Sequence, residues 1–371
     1  MKNLIKRNLF NNIYKNKKVF ITGQTGFKGS WLALWLVNMG AKVYGYSVYI
    51  PTKPNHYELL KLDISNTKGD IRYIESLKLA IKKCDPDIIF HMAAQTIVRE
   101  SYKEPANTFS ANVIGTVNLL ESARSCKNLK AIVHISTDKC YDNKEWIWGY
   151  RENDPLGGYD PYSASKACAE LAVFSYRNSF FNNNDYGKKH NVLIASERAG
   201  NVIGGGDWAK DRLIPDIIRN IENGKNIIIR NPNSTRPWQF VLEPLSGYLL
   251  LGQKLLEGKK EFAESWNFGP ESSRSIKVSE LLEFSKKHWN TIKYKLDYTK
   301  HELHEASMLH LDCSKAFNLL NWKPVYDHNI MIKKTILWYK NFYENNKVIS
   351  HQDLDEYIKT AVKENIVWTI L

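Results

Sequence analysis

The segment DPYSASKACAE contains two residues spaced for chemistry on an alcohol. Tyr162 and Lys166 are four positions apart, so on a helix their side chains would share one face. A lysine cation beside a phenol stabilises the phenolate, and we expect it to lower the pKa of Tyr162 from about 10 toward neutrality. Tyr162 is therefore a candidate base for an alcohol proton, and Lys166 could also hold a nicotinamide ribose. Two unrelated surface residues would show the same spacing.

The segment STDKCYD places polar and charged residues directly after the apolar run AIVHI. Thr137, Asp138 and Lys139 thus stand at the end of what reads as a buried strand, where charge is costly unless it is paired. This placement raises the question whether the charge of Lys139 is part of a reaction. The structural alternative is that Lys139 only neutralises Asp138.

Three glycines with the spacing GxxGxxG follow the first predicted strand. Gly23, Gly26 and Gly29 would allow a tight turn, close approach of the backbone to a pyrophosphate, and a helix N-terminus directed at its charge, with Phe27 inside the turn. Such turns also occur for packing reasons alone. The strand before this turn, the helix after it and the βα series downstream favour a dinucleotide site.

The residues that would contact the rest of the dinucleotide are less distinctive. The acidic residue expected at the end of the second strand is absent from YGYSVYI. Asp70 and Ile71 could flank the adenine, although Asp70 would serve equally as an ordinary turn residue. Ala93, Ala94 and Gln95 of HMAAQ end a strand where the backbone can approach a cofactor, and simple helix–strand packing would also explain the alanines.

Short apolar, β-branched runs alternate with longer amphipathic segments, which predicts an α/β fold with a Rossmann-type, doubly wound parallel sheet. The predicted strands are 18–22, 41–47, 87–95, 131–138 and 191–198, and the predicted helices are 29–40, 105–126 and 161–180. From about residue 200 the alternation breaks. We expect residues 17–200 to bind the dinucleotide and carry the catalytic residues, 201–345 to form mainly a smaller substrate-binding lobe, and 346–371 to be a helical tail.

Composition excludes several classes of protein. The chain has 371 residues, of which 43% are hydrophobic, enough for a sizeable core. No apolar run approaches the roughly 20 residues of a membrane-spanning helix. Five cysteines are scattered without a CxxC pair, which favours free thiols in the cytoplasm over disulfides or a metal site. The net charge of +13 comes from dispersed lysines, so a solvated basic surface is favoured over nucleic-acid binding.

Several longer motifs accompany these residues: TGFKGSWL, HMAAQ, STDKCYDN, GYDPYSASKACAEL, RAGNVIGGGDWAKDRLIPD, RPWQFVLEPLSGYL, HEASMLHLDCSKA and LNWKP. Together they resemble the nucleotide-sugar branch of the extended short-chain dehydrogenase/reductase family, and within it the CDP-glucose 4,6-dehydratases. The resemblance extends over nearly all of residues 17–340. Two positions depart from the family pattern, since Gln24 replaces an expected histidine and Thr96 an expected proline.

The resemblance implies NAD as cofactor and a nucleotide-diphosphate sugar, CDP-glucose, as substrate. Tyr162 takes the proton of the sugar 4-hydroxyl while hydride passes from C4 to NAD, and Thr137 hydrogen-bonds the same oxygen. The 4-ketone acidifies the proton at C5, and Asp138 protonates the departing 6-hydroxyl if burial raises its pKa. Return of the hydride to C6 gives a 4-keto-6-deoxy sugar on a pathway to a deoxysugar.

The role of Lys139 stays open in this reaction. Related dehydratases usually carry a glutamate here as the C5 base. Lys139 could be that base if desolvation or neighbouring Lys166 lowers its pKa, or it could remain cationic and stabilise the enolate.

The resemblance also implies a substrate site and a partner. Asn201 and Arg236 would contact the diphosphate, because an arginine fork suits two phosphate oxygens, and Arg212 with Leu213 would help to form the nucleotide pocket. The segment HELHEA (301–306) could close over the ligand or lie on a helix surface. Family members are commonly homodimers built on paired helices, and the two long predicted helices would suit that role.

Two alternatives remain at this stage. A 4-epimerase or a dehydratase of another nucleotide sugar would share most of these residues. An epimerase needs no acid–base pair at C5 and C6, so Asp138 and Lys139 favour dehydration. A dinucleotide-sensing or nucleic-acid-binding regulator would keep the fold but is expected to lose Tyr162 or Lys166, and both are present.

Overall fold

The structure, a computed structural model, describes residues 8–222, 227–229, 232–270, 276–296 and 308–370. Its strands are β1 Lys18–Thr22, β2 Lys42–Ser47, β3 Ser65–Lys68, β4 Ile88–His91, β5 Ala131–Ile135, β6 Leu193–Ala199, β7 Val202–Ile203, β8 Ile227–Ile229, β9 Thr235–Arg236, β10 Gln239–Phe240, β11 Ser265–Phe268, β12 Ile276–Lys277 and β13 Tyr294–Leu296. Its α-helices are α1 Phe27–Asn38, α2 His56–Leu60, α3 Ile74–Cys84, α4 Val98–Lys103, α5 Pro105–Phe109, α6 Gly115–Ala123, α7 Pro161–Ser179, α8 Leu213–Glu222, α9 Leu242–Leu256, α10 Val278–His288, α11 Ser314–Leu319, α12 His328–Asn345 and α13 Ser350–Lys363.

Seven parallel strands form the central sheet in the order β11-β6-β5-β4-β1-β2-β3. Helices α1 and α9 cover one face, and α3, α6 and α7 cover the other. Every residue of β4, β5 and β6 is buried, as expected for apolar strands covered on both sides. The predicted α/β class with a Rossmann-type sheet is confirmed. Strand β11 lies beyond residue 200 and pairs with β6, so the central sheet contains strands from both sides of the predicted boundary.

Strands β4 and β5 end earlier than predicted, because polar side chains at their carboxyl ends direct the chain out of the sheet. Thr22 accepts hydrogen bonds from the backbone N–H groups of Met92 and Ala93, each at 3.1 Å, where β4 ends. Thr137 caps a 3₁₀ turn directly after β5 and accepts from the N–H of Lys139 at 3.4 Å. The two ends form the edge at which the predicted catalytic residues lie.

The helical segment predicted at 105–126 is interrupted by a π turn at Ser110–Ile114. The amide nitrogen of Asn112 in this turn donates to the Gln95 carbonyl at 3.0 Å and to the Ser165 hydroxyl at 2.8 Å. Its oxygen accepts from the backbone N–H of Gln95 at 2.8 Å. The turn therefore directs a polar side chain inward and joins the end of β4 to α7.

The C-terminal segment, for which the sequence indicated only a charged helical tail, packs into the main core. Tyr357 on α13 is fully buried and donates a hydrogen bond to Glu243 on α9 at 2.6 Å. Trp368 stacks on Phe10 with ring centroids 5.3 Å apart. The two ends of the chain thus stabilise each other against the sheet.

A buried histidine links α1 to the C-terminal helices. The Nδ1 and Nε2 atoms of His56 each lie 2.8 Å from a hydroxyl, of Ser30 and Ser350 respectively. Ser30 donates its only proton to the Phe27 carbonyl, so it accepts from Nδ1–H, while Ser350 accepts from the Trp338 indole and can donate to Nε2. The neutral ring satisfies both partners, and burial lowers the pKa of His56 to about 3.

This pKa predicts a defined acid sensitivity of stability. Since the folded-state pKa of His56 lies below its unfolded value of about 6.5, the unfolded chain takes up the proton first as the pH falls. The stability that depends on a neutral His56 is present at pH 7.5, and about 1.4 kcal/mol of it is lost by pH 5.5. Urea unfolding at both pH values should show that the difference in unfolding free energy between the native chain and His56→Asn decreases by this amount from pH 7.5 to pH 5.5. A gap independent of pH would contradict a neutral buried His56.

Candidate active site

The 3₁₀ turn Asp138–Cys140 presents the STDK segment at the carboxyl edge of the sheet. The Thr137 hydroxyl donates to Asp138 Oδ1 at 3.0 Å. Asp138 is fully buried, and Lys139 Nζ lies 3.2 Å from the same oxygen, on a side chain that is 32% exposed. The ion pair between Lys139 and Asp138 therefore exists, and the lysine keeps contact with solvent.

The second carboxylate oxygen of Asp138 lies against the chain that follows β6. A Cβ on Gly200 would be 1.8 Å from Asp138 Oδ2, so only glycine fits at this position. Within the described ranges Oδ2 has no hydrogen-bond partner. A buried carboxylate oxygen without a partner is costly, which favours a role in chemistry over one in stability.

Helix α7 brings the predicted base to the same edge. Asp160 caps this helix by accepting from the N–H of Ser163 at 2.9 Å, and Pro161 occupies the first turn. Tyr162 is 8% exposed, and its hydroxyl hydrogen-bonds the side chain of Thr137. Thr137 and Tyr162 therefore face the same point.

Lys166 is buried one helical turn after Tyr162, but its ammonium contacts the backbone. Its Nζ donates to the Ile135 carbonyl at 2.8 Å. Burial raises the pKa of Tyr162 to about 12, although the hydrogen bond with Thr137 opposes the rise, and burial lowers the pKa of Lys166 to about 8. The expected fall of the Tyr162 pKa toward neutrality is wrong for this structure, because desolvation of the phenol outweighs stabilisation of the phenolate.

The glycine turn after β1 leaves no room for side chains. Gly23 has a φ of +80°, and a Cβ there would lie 2.9 Å from the backbone nitrogen of Ala93. A Cβ on Gly29 would lie 2.2 Å from the carbonyl oxygen of Gly23. Gly26 caps α1, which begins at Phe27, so the first N–H groups of this helix are open to an anion. A backbone cradle of this kind fits the pyrophosphate of a dinucleotide.

The residues predicted around the adenine are bound to their neighbours. Asp70 accepts from the backbone N–H and from Nε of Arg72, each at 2.9 Å. Burial raises the pKa of Asp70, but these hydrogen bonds outweigh it and hold that pKa below its ordinary value. Ile71 is buried, and Gln24, at the position of the expected histidine, accepts from the Ser47 hydroxyl at 2.7 Å. The bond from the N–H two residues on is the one that an ordinary turn aspartate makes, as in the alternative that the sequence offered for Asp70.

The HMAAQ residues follow β4 as predicted, and their side chains have different surroundings. Ala93 lies against the glycine turn, and Ala94 is half-buried beside it. The Gln95 amide donates to the Thr108 hydroxyl at 2.9 Å and to the Ile97 carbonyl at 3.1 Å. Gln95 therefore anchors the strand end in addition to any contact with a cofactor.

Arg212 approaches the catalytic residues from the loop between β7 and α8. Its positive charge acts on the pKa of Tyr162, and its Nη1 pairs with Asp207 at 2.9 Å. Its Nη2 donates to the Thr96 hydroxyl at 3.0 Å. The hydroxyl that stands in place of the expected proline thus helps to hold Arg212.

The other predicted substrate residues lie on segments that follow β6. Asn201 comes directly after Gly200 with a φ of 43°, and Leu213 begins α8. Arg236 on β9 is buried and donates to the Thr235 carbonyl at 2.9 Å. The segment 301–306 lies outside the described residues.

Sequence reasoning missed three polar residues that meet beside the catalytic turn. Lys28 of α1, Glu197 of β6 and Tyr248 of α9 come together, and Lys28 Nζ lies 3.0 Å from the Tyr248 hydroxyl. The signal for them was available in the sequence. The runs GFKGSWL and NVLIASER contain charged residues among apolar ones. Burying these charges costs free energy, as it does for the charges in STDK.

A buried ion pair anchors the catalytic turn from the face covered by α7. Arg198 Nη2 donates to Glu170 Oε2 at 2.8 Å, with side chains that are only 3% and 2% exposed. Its Nη1 donates at 2.9 Å to the hydroxyl of Tyr141, the residue that follows the turn. The pair therefore fixes the position of the STDK segment.

Other kinds of site find no support in the described part of the chain. No group of three His, Cys, Asp or Glu side chains there could hold a metal ion. None of the helices described is long and apolar enough to cross a membrane. The cysteines are free thiols at positions 84, 126, 140, 168 and 313.

The chain is similar in sequence to nucleotide-sugar dehydratases. The family model described as GDP-mannose 4,6 dehydratase matches residues 20–335. A CDP-glucose 4,6-dehydratase of Salmonella typhimurium is 49% identical over 357 residues, which cover 95% of this chain and 99% of that protein. A dTDP-D-glucose 4,6-dehydratase of Dictyostelium discoideum is 27% identical, with 91% of this chain and 86% of that protein covered.

Solved structures share the fold. The epimerase Mth375 of Methanothermobacter thermautotrophicus superposes with a TM-score of 0.79 at 22% identity, covering 93% of this chain and 98% of that one. DesIV, a dTDP-glucose 4,6-dehydratase of Streptomyces venezuelae solved with NAD bound, has a TM-score of 0.73 at 21% identity, covering 87% and 97%. At these identities the likeness shows the fold, which epimerases and dehydratases have in common.

The buried pair below the catalytic turn yields a prediction for stability. Arg198→Met leaves Glu170 as an unpaired buried carboxylate and is expected to cost about 3–5 kcal/mol of unfolding free energy. The control Arg151→Met breaks a pair whose arginine side chain is 63% exposed, and should cost at most about 1 kcal/mol. Equal losses in denaturant unfolding would contradict the anchoring role of Arg198.

Proposed function

The chain belongs to the GDP-mannose 4,6 dehydratase family, and on that premise we propose that it converts CDP-glucose to CDP-4-keto-6-deoxyglucose. The 49% identity to a CDP-glucose 4,6-dehydratase supports this substrate. The observation that carries the reaction is the joining of Thr137, Asp138 and Tyr162 in one hydrogen-bonded group at the end of β5. A base, an oxygen-binding hydroxyl and a carboxyl group are the parts that oxidation at C4 and elimination at C6 require.

The cofactor in this proposal is NAD, which a related dehydratase structure holds. The cradle of Gly23, Gly26 and Gly29 would take the pyrophosphate, with Asp70–Ile71 on the adenine side and Ala93–Gln95 along the strand ends. When bound, NAD accepts a hydride from C4 and returns it to C6.

Tyr162 takes the proton of the 4-hydroxyl in this reaction, while Thr137 orients the oxygen. A tyrosine whose pKa is raised forms a strongly basic phenolate, but little of that phenolate is present at neutral pH. Lys166, with a pKa near 8, remains mainly protonated at pH 7, so its positive charge is available to stabilise the phenolate. The pair thus divides the work between a strong base and the cation that allows it to form.

Asp138 and Lys139 serve the elimination step. Asp138 protonates the departing 6-hydroxyl, and Lys139 acts at C5 either as the base or as a cation that stabilises the enolate. A 4-epimerase requires neither function. The contact between Asp138 and Lys139 at this position therefore favours dehydration over epimerisation.

The nucleotide-sugar site extends from the catalytic edge into the segment 201–345, and residues 17–200 hold the cofactor. Asn201 and Arg236 bind the diphosphate, and Arg212 and Leu213 form part of the nucleotide pocket. Support for this arrangement comes from the charge of Arg212 acting on the catalytic tyrosine and from the position of Asn201 next to Gly200.

The enzyme acts as a cytoplasmic homodimer in the synthesis of a deoxysugar for a surface polysaccharide. Exposed apolar side chains on the long helices support the dimer: Phe109 and Ile114 are 36% and 50% exposed, and Leu171 and Phe174 are 55% and 57% exposed. A second copy of the chain would cover this face. Five free thiols suit a reducing compartment.

A product assay tests the proposed reaction. The purified protein with CDP-glucose and NAD is expected to form a 4-keto-6-deoxy sugar, which absorbs in alkali, whereas a 4-epimer does not. The dTDP-, UDP- and GDP-linked sugars serve as matched substrates and should react more slowly. A product without alkaline absorbance, or faster turnover of another nucleotide sugar, would contradict the proposal.

Replacing the base gives a second test. Tyr162→Phe removes the proton acceptor and is expected to lower kcat by about 10²–10⁴-fold, as general-base loss does. It keeps the ring, so NAD binding measured by calorimetry should persist. The control is Tyr159→Phe, at a residue three positions earlier that is 78% exposed, and it should keep native turnover. Native turnover by Tyr162→Phe would exclude this residue as the base.

A further inference from the structure

Three side chains that the proposed reaction does not use meet in the interior beside Asp138. They are Lys28 at the start of α1, Glu197 on β6 and Tyr248 on α9, and the last two are fully buried. The Tyr248 hydroxyl contacts the Lys28 ammonium at 3.0 Å and also approaches the Glu197 carboxyl group. A buried carboxyl group and a half-buried ammonium beside it are costly to a fold that has no use for them.

The sheet register places Glu197 next to the catalytic turn. Glu197 is the register partner of Ile135, the last residue of β5, and its carbonyl accepts from the N–H of Ser136 at 2.8 Å. The Ile135 carbonyl in turn accepts a hydrogen bond from the ammonium of Lys166. Glu197 therefore stands one strand from the segment that carries Asp138, and its side chain points to the face covered by α1 and α9.

Charged groups on several of the described segments act on Lys28. They belong to Glu197 on β6, Asp138 after β5, Arg212 before α8 and Lys166 on α7. The charges of Lys166 and Glu170 on α7 also act on the pKa of Glu197, and Tyr162 acts on the pKa of Tyr248. Any change in the charge of Lys28 or Glu197 is therefore transmitted to catalytic residues through a medium of low polarity.

The protonation of this cluster is poised rather than fixed. Burial raises the pKa of Glu197 to about 8 and lowers the pKa of Lys28. Neither carboxyl oxygen of Glu197 makes a hydrogen bond of good geometry with the described residues. Burial thus opposes the ionisation of Glu197, and the positive charge of Lys28 is the largest influence that favours this ionisation.

We propose that Lys28 and Glu197, joined through Tyr248, are positioning residues that set the electrostatic potential at Lys166. The inference rests on the proposed function of that site. Lys28 contributes a positive charge that lowers the pKa of Lys166. The carboxylate of Glu197 raises the pKa of Lys166, so the two residues act in opposite directions on the same catalytic group.

Opposite pH shifts are the signature of this role. Lys28→Met removes a positive charge, so Lys166 should lose its proton at higher pH and the alkaline limb of the kcat/KM profile should move to higher pH, on the order of one unit. Glu197→Gln removes a carboxyl group that is ionised in the same alkaline range, so this limb should move to lower pH. The double variant should return close to the native profile. A side-chain NMR titration of Lys166, assigned by comparison with Lys166→Arg, reports the same shifts without turnover.

Glu243→Gln is the matched control, because Glu243 is also a buried carboxyl group of α9 but contacts Tyr357 and the backbone of residues 325–326 instead. It should change stability and leave the profile in place. Melting temperature and NAD binding identify the variants that fold, and Lys28→Gln replaces Lys28→Met if the latter does not. Profiles that stay unchanged or shift in the same direction in folded variants would overturn the inference. Absence of CDP-glucose turnover by the native chain would instead contradict the proposed function, and the titration of Lys166 would still decide the role of Lys28 and Glu197.

Discussion

Three charged side chains buried at the carboxyl edge of the central sheet, those of Asp138, Glu197 and Arg198, each lie near a group of opposite charge. Asp138 has Lys139, and Glu197 has Lys28 of α1 across the Tyr248 hydroxyl. On the opposite face of β6, Arg198 is paired with a glutamate of α7. Because a buried charge without a partner costs several kcal/mol, these pairs restrict how α1, α7 and α9 can dock on the sheet. The catalytic turn inherits its geometry from that restriction.

Close backbone approach is the second device that assembles the site. Gly200 brings the chain after β6 against the Asp138 carboxylate, and Gly23 brings the turn after β1 against the backbone at Ala93. A methyl group at either glycine would separate segments that have to touch. The cofactor cradle and the catalytic carboxylate are therefore both positioned by residues that have no side chain, on adjoining strand ends of one sheet.

Local patterns predicted the sheet, the glycine turn and the helix that carries Tyr162 and Lys166, because these features depend on spacing within a few residues. Three features depended on contacts between distant segments and did not follow from spacing. Desolvation reverses the expected pKa shift of Tyr162, and Glu197 meets Lys28 only after β6 and α1 have packed. The packing of Trp368 on Phe10 joins the two ends of the chain, which no local pattern indicates. The substrate and cofactor roles of the predicted site residues remain proposals.

The central claim is that this edge of the sheet oxidises C4 of the sugar and eliminates water across C5 and C6. The most direct measurement follows the hydrogen at C4, using CDP-glucose that carries deuterium there and NMR of the product. We predict that the deuterium is found at C6 of the same molecule and that a hydrogen from solvent enters at C5. Deuterium that stays at C4 of an epimer, or that is lost to solvent, would contradict the claim.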